Sequence, residues 1–232
     1  MKYTVKKICE KSDIKKCENF VIDKYMWNST QEPKTYGWLG YLENKGFFVK
    51  IVCEEQNPKR TKTEHRERVC DDSAVEVFMS FVEEGETLTN DSMYINFEIN
   101  SNGALFAKYG KGRKNRQFIA EDVVSETEIQ ADIKEDYWTV EFVIPESFLK
   151  KICDLEAIKS GKIFYCNFYK ISDVPHQLSH LLLQFVLHIL VQMYVCNYEN
   201  GIFLPVFQYQ KKYVRFLLLH STFRVHVFPE YQ

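Results

Sequence analysis

The strongest constraint on this chain is a series of short segments in which apolar side chains recur at every second residue. In Gly46–Glu54, Phe47, Val49, Ile51 and Cys53 alternate with Phe48, Lys50 and Val52. In Ala74–Val82, Val75, Val77, Met79 and Phe81 fall on one face, and in Ser92–Asn100 so do Met93, Ile95, Phe97 and Ile99. Asp136–Ile144 groups Trp138, Val140, Phe142 and Ile144, and Lys162–Ile171 groups Phe164, Cys166 and Phe168. Successive side chains of a strand point to opposite faces, so each segment predicts a strand with one side on a core. Weaker strand candidates are Tyr3–Ile8, Thr35–Leu42, Ala104–Tyr109 and Glu128–Lys134.

The connections carry turn chemistry. Asn44-Lys45-Gly46 and Ser101-Asn102-Gly103 suit tight hairpins. Gln56–Asp72 is polar and charged and reads as an exposed loop, while Pro145-Glu146-Ser147-Phe148 can open a helical turn or two. Amphipathic helices are nearly absent. The pattern predicts an all-β domain over residues 1–175, built as an antiparallel two-sheet β-sandwich of jelly-roll type. Eighteen Phe, 14 Tyr and 3 Trp against 9 Gly and 6 Pro fit a strand-rich core. Trp138 belongs inside by its alternation, whereas Trp27 and Trp38 sit in a mixed stretch that can leave either exposed.

Composition then breaks. Residues 1–175 hold 30 of the 32 acidic residues and one of the six His; residues 176–232 hold two acids, four bases and five His. Within this apolar tail, Leu181–Tyr198 places Gln184, His188 and Gln192 four residues apart, a polar stripe that predicts a helix. Its length is near the lower limit for a membrane span, and those polar groups are costly in lipid. Two origins of 176–232 stand side by side: an out-of-frame translation beginning near Asp173–His180, or a genuine helix that docks on a membrane or a partner.

A net charge of −2 gives no whole-chain reason to expect nucleic acid. Seven Cys without a C-x-x-C pair indicate neither a disulfide framework nor a zinc ribbon, and read as small buried hydrophobes in a reducing compartment. The first residues lack the apolar core of a secretory signal, so cytoplasm is the default and an extracellular location stays open.

Four stretches, in this order, carry a resemblance: Asp71-Asp72-Ser73-Ala74-Val75-Glu76-Val77-Phe78; Tyr94 through Gly103; Trp138-Thr139-Val140-Glu141-Phe142-Val143-Ile144-Pro145; and Asn167-Phe168-Tyr169-Lys170. Together they resemble the family 9 carbohydrate-binding modules and their DOMON-type relatives, over about residues 1–175. The resemblance implies a non-catalytic β-sandwich that holds a sugar on one face. It also implies an association with glycoside hydrolases or bacterial polysaccharide use, and in some members a structural calcium. In the family the sugar sits between two aromatic rings, one of them after the Asn-Phe-Tyr-Lys strand. No Trp follows Trp138 here, and no final strand is recognisable beyond Lys170.

The same residues suit a sugar, which presents apolar C–H faces and many hydroxyls. Tyr94, Asn96 and Glu98 project from one face of one strand at about 7 Å spacing. Arg113 and Arg116 on the next hairpin can donate, and Asn167, Tyr169, Lys170 and a Trp38 platform complete the candidates. The competing expectation is a solvated outer face.

No cofactor is required. Asp71 and Asp72, with Glu76, offer hard oxygens for calcium but lack the spaced loop of a dedicated site. His176 and His180 lack the Glu of a zinc helix motif, and Gly110–Arg116 lacks a phosphate cradle and reads as a solvated basic turn. Glu76, Glu98 and Glu141 are the strand carboxylates that a glycoside hydrolase component would need, which is the alternative reading.

Overall fold

The computed structural model describes residues 2–24, 32–81, 88–89, 91–153, 163–171 and 194–198. The strands are β1 (Lys2–Ile8), β2 (Asn19–Ile22), β3 (Thr35–Leu42), β4 (Gly46–Cys53), β5 (Ala74–Ser80), β6 (Met93–Asn100), β7 (Leu105–Lys111), β8 (Asn115–Phe118), β9 (Gln130–Ile133), β10 (Trp138–Pro145), β11 (Ile163–Ile171) and β12 (Tyr194–Tyr198). Two short helices, α1 (Glu121–Glu126) and α2 (Glu146–Ile152), lie between strands.

The strands form two sheets. The front sheet runs β8-β7-β6-β5-β11-β12, with antiparallel neighbours throughout. The back sheet runs β3-β4-β10-β9, also antiparallel. β1 belongs to both: Lys2–Val5 pair in parallel with β12, and Lys6–Ile8 in parallel with β3. β2 covers the other half of that β3 edge.

Burial follows the alternation. Phe97 of the front sheet stacks on Phe142 of the back sheet at 6.1 Å between centroids, and Phe47 meets Phe164 at 4.8 Å. Fully burying such side chains stabilises by roughly 1.5–3 kcal/mol each. Trp138 is fully buried in this core, and Cys53 and Cys166 are buried with it. Burial pushes the Cys53 thiol up to about 12, so it stays a hydrophobe at neutral pH.

Position by position, the strand expectations hold to within a residue or two. β2, β8 and α1 carry too few apolar repeats to stand out in sequence. The back sheet is apolar on both sides because a 3-10 turn, Lys11–Lys16, covers its outer face. Ile8, Ile14, Cys17, Leu42, Phe48 and Val143 form a second small core there.

The helix expected over 181–198 is corrected at its end. Tyr194–Tyr198 is a strand that fills the slot between β11 and β1. Residues 181–193 of that helix, and the rest of the 176–232 tail, lie outside the described residues.

Candidate functional site

The outer face of the front sheet is the place where polar side chains converge. Register sets the grid. Tyr169, Glu76, Glu98 and Phe106 form one row across β11, β5, β6 and β7. Asn167, Phe78, Asn96, Lys108 and Phe118 form the next, reaching β8. Tyr94, Gly110 and Arg116 lie in the third. Directly paired residues point the same way, so all of these share one face.

This face is not a solvated surface. Glu76, Asn96, Glu98 and Asn167 are 2%, 0%, 4% and 5% exposed. An aromatic stripe flanks them. Phe78 meets Tyr169 edge-on at 5.5 Å and lies beside Tyr94 at 6.1 Å. The stripe is half-buried, with the Arg116 guanidinium 5.5 Å from the Tyr94 ring centroid. That reach depends on Gly110, which stands between Tyr94 and Arg116 in the row. A Cβ on Gly110 would lie 2.2 Å from the Asn115 carbonyl oxygen, and its φ of +154° disfavours any side chain.

The electrostatics follow from burial. Glu76 and Glu98 are direct cross-strand partners and both are buried. Burial first, and Glu98 second, holds the Glu76 carboxyl well above the usual carboxylate range. Burial pushes Glu98 up to about 7, against the pull of Arg116, Lys108, Arg68 and Arg113. Asn96 Oδ1 accepts from Arg116 Nη1 at 3.3 Å. Two atoms at this site, Glu76 Oε1 and Asn96 Nδ2, are buried without a hydrogen-bond partner. The third such atom among the described residues is Ser101 Oγ, at the far end of β6. A buried orphan costs about 1–3 kcal/mol, so a ligand that satisfies an acceptor and a donor here recovers that cost.

The expected residues do not all meet. Tyr94, Asn96, Glu98, Asn167 and Tyr169 come together, with Asn167 Nδ2 donating to the Tyr169 hydroxyl at 2.7 Å. Arg113 sits on the adjoining hairpin, half-buried beside Arg116, Tyr94 and Glu98. Trp38 stands on the outer face of the other sheet, packed on the second small core and edge-on to Tyr36 at 5.6 Å. Lys170 faces inward, 3.0 Å from Glu55, whose carboxylate also accepts from Ser73 and from Trp138 Nε1. Alternation alone places Glu76 and Phe78 on the site face of β5, but only the register reveals that they stand beside Glu98 and Asn96.

Asp71 and Asp72 are held by protein donors. The Asp72 carboxylate accepts from Thr61 Oγ1 and the Lys62 N–H at 2.8 Å each, and from Asn100 Nδ2 at 2.9 Å. Asp71 lies 3.3 Å from Arg68. No group of three or more His, Cys, Asp or Glu suited to a metal occurs among the described residues. The Asp72 carboxylate is thus already engaged by protein donors, and Asp71 by a cation. Asp72 and Asn100 tie the Gln56–Asp72 loop to the turn after β6.

The fold is that of a β-sandwich module with buried polar groups beside aromatic rings on one outer face. Residues 6–186 match the model of carbohydrate-binding family 9, and the chain belongs to that family. It is a non-catalytic carbohydrate-binding module. No curated protein matches it. A crystal structure of a Bacteroides uniformis ATCC 8492 protein, described as carbohydrate-binding, shares the fold. Its TM-score is 0.61 at 20% identity, over 75% of this chain and 85% of that one.

Proposed function

We propose that this module holds a sugar on the outer face of the front sheet, with Tyr94 as the stacking ring and Glu76, Asn96, Asn167 and Arg116 as its hydrogen-bonding groups. The observation that carries the reading is the pair of buried, unpartnered atoms, Glu76 Oε1 and Asn96 Nδ2, beside a half-buried aromatic stripe. A vicinal diol supplies what both lack: one hydroxyl donates to Glu76 and another accepts from Asn96. Phe78 and Tyr169 take the place of a Trp clamp in offering an apolar surface to C–H groups.

We further propose that hydrolysis, where the module supports it, belongs to a partner activity and not to this face. Glycoside hydrolases separate their two carboxyl groups by roughly 5–9.5 Å around the scissile bond. Glu76 and Glu98 are instead adjacent partners in one ladder, both buried, and not two carboxyl groups set across an open cleft. The test is titration calorimetry of the full chain against a broad oligosaccharide panel. Saturable binding without sugar release is the expected result; release of reducing sugar, lost in Glu98→Gln, would overturn it.

A further inference from the structure

The loop after β4 is explained by neither the core nor the Tyr94 face. Glu54–Arg68 joins β4 to the Val69–Asp71 turn without a helix or strand. Connections longer than about 12 residues without secondary structure are uncommon in a compact domain, and are either functional or disordered. This one is pinned. Pro58 is buried, the Ser73 N–H donates to the Lys59 carbonyl at 2.8 Å, and Asn102 Nδ2 donates to the Arg60 carbonyl at 3.0 Å. Gln56 Nε2 donates to Asp136 Oδ1 at 2.7 Å and so ties the loop to the β9–β10 turn. That turn is closed by its own bond, from the Lys134 N–H to the Tyr137 carbonyl at 2.8 Å.

Between the two segments lies a cleft of about 470 Å³, inside the roughly 300–1,000 Å³ range of small-ligand sites. Gln56, Asn57 and Arg60 line it from the loop, and Ile133, Lys134 and Glu135 from the end of β9 and its turn. None of them belongs to the Tyr94 face. Ile133 and Pro58 give the lining its apolar patches; the rest is amide, guanidinium, ammonium and carboxylate. Lys134 is paired with Asp132 at 2.8 Å. That leaves Arg60 and Glu135, one charge of each sign, so the cleft suits a neutral ligand. An apolar ligand would strand these polar groups away from water. A sugar matches them, because each hydroxyl both donates and accepts and the C–H face covers a small apolar patch.

We propose that this cleft is a second carbohydrate contact, separate from the Tyr94 face, in which Gln56, Asn57, Arg60 and Glu135 hold the hydroxyls of one neutral sugar unit. Two contacts on one module raise its avidity for a long glycan without strengthening either contact by itself.

The probes are cellotetraose, xylotetraose and mannotetraose, titrated into the full chain by calorimetry and followed through the NMR signals of the Gln56 and Asn57 side-chain amides. The test variant combines Asn57→Gly with Arg60→Ala. Glycine accepts the left-handed φ of 49° at position 57, and the Asn102 bond at Arg60 is to the backbone, so both changes keep the loop in place. For a probe that binds, two sites per chain are expected. The double variant should weaken one of them by about ten-fold or more and erase the Gln56 shift, which Glu76→Gln should leave intact. One site per chain, untouched by the double variant and silent at both amides, would overturn the inference and leave the Tyr94 face standing. One site lost in the double variant and kept in Glu76→Gln would support the cleft and overturn the Tyr94 face. Binding by none of the three probes, nor by the wider panel, would overturn both.

Discussion

Glu76 and Glu98 face each other across the β5–β6 ladder, and both are buried. Two adjacent carboxylates away from water are costly when both are charged. Their place on the proposed sugar face links stability, pH and binding.

The pair predicts a stability that falls as the solution is made neutral. Both carboxyls have folded values above their ordinary one, so the folded state holds their protons more tightly than the unfolded chain. The Glu98 contribution is fully present below 4.5 and is lost as pH rises through about 7. Asp72 runs the other way. Burial opposes its charge, but hydrogen bonds from Thr61, Lys62 and Asn100 outweigh this and hold it below 3.8, so its contribution is present above that value and lost as pH falls. For these groups taken together, urea midpoints should peak in the mildly acidic range. Glu98→Gln should flatten the neutral side and raise stability near neutrality by about 3 kcal/mol. A wild-type profile that rises from mildly acidic to neutral pH would contradict this.

Gly110 predicts a coupling between backbone and site. Alanine there collides with the Asn115 carbonyl oxygen at 2.2 Å and must adopt a φ of +154°. Gly110→Ala should lose about 1–3 kcal/mol of stability and shift Arg116 off Tyr94. Thermal melts read the first effect, and weaker glycan binding by the folded fraction reads the second.

The cluster at one end of the core predicts a purely structural lysine. Lys170 and Glu55, with side chains 5% and 9% exposed, form an ion pair at 3.0 Å, and Lys170 Nζ also lies 5.6 Å from the Trp138 ring centroid. Lys170→Ala strands Glu55 in a dry site and should cost about 3 kcal/mol. Glycan affinity of the folded variant, compared at a temperature where both proteins are native, should be unchanged.

Much of the fold is legible from the sequence because most long strands carry an apolar face over their central residues, with inward exceptions such as Thr35 of β3 and Lys170 of β11. Thr35–Leu42 is the strand that the alternation predicts, and Gly46, Ala74 and Ile171 mark strand ends. β2 and β8 have four residues each and lie on sheet edges, where tertiary pairing rather than pattern makes the strand. β12 is five residues long and is defined by the slot it fills. The family match runs to residue 186, past the break in composition at 176, so the two boundaries do not coincide.

The site is half legible. Tyr94, Asn96 and Glu98 share a face by spacing alone, and Asn167 and Tyr169 belong to the same resemblance. Burial of that face is not in the pattern, since alternating polar residues usually meet water. It comes from the aromatic stripe and from the turn Val69–Asp71 packed on β6. Trp38 shows the reverse: a residue type suited to sugar, set by register on the opposite sheet.

The most direct measurement compares two variants of the full chain against whichever glycan the wild type binds, with circular dichroism confirming that each is folded. Glu76→Gln alters the buried floor of the front sheet, and Trp38→Ala removes the exposed-side aromatic of the back sheet. Glu76→Gln should weaken binding by about ten-fold or more, and Trp38→Ala should leave it unchanged. Binding that survives Glu76→Gln and disappears with Trp38→Ala would place the sugar on the other sheet and contradict the account.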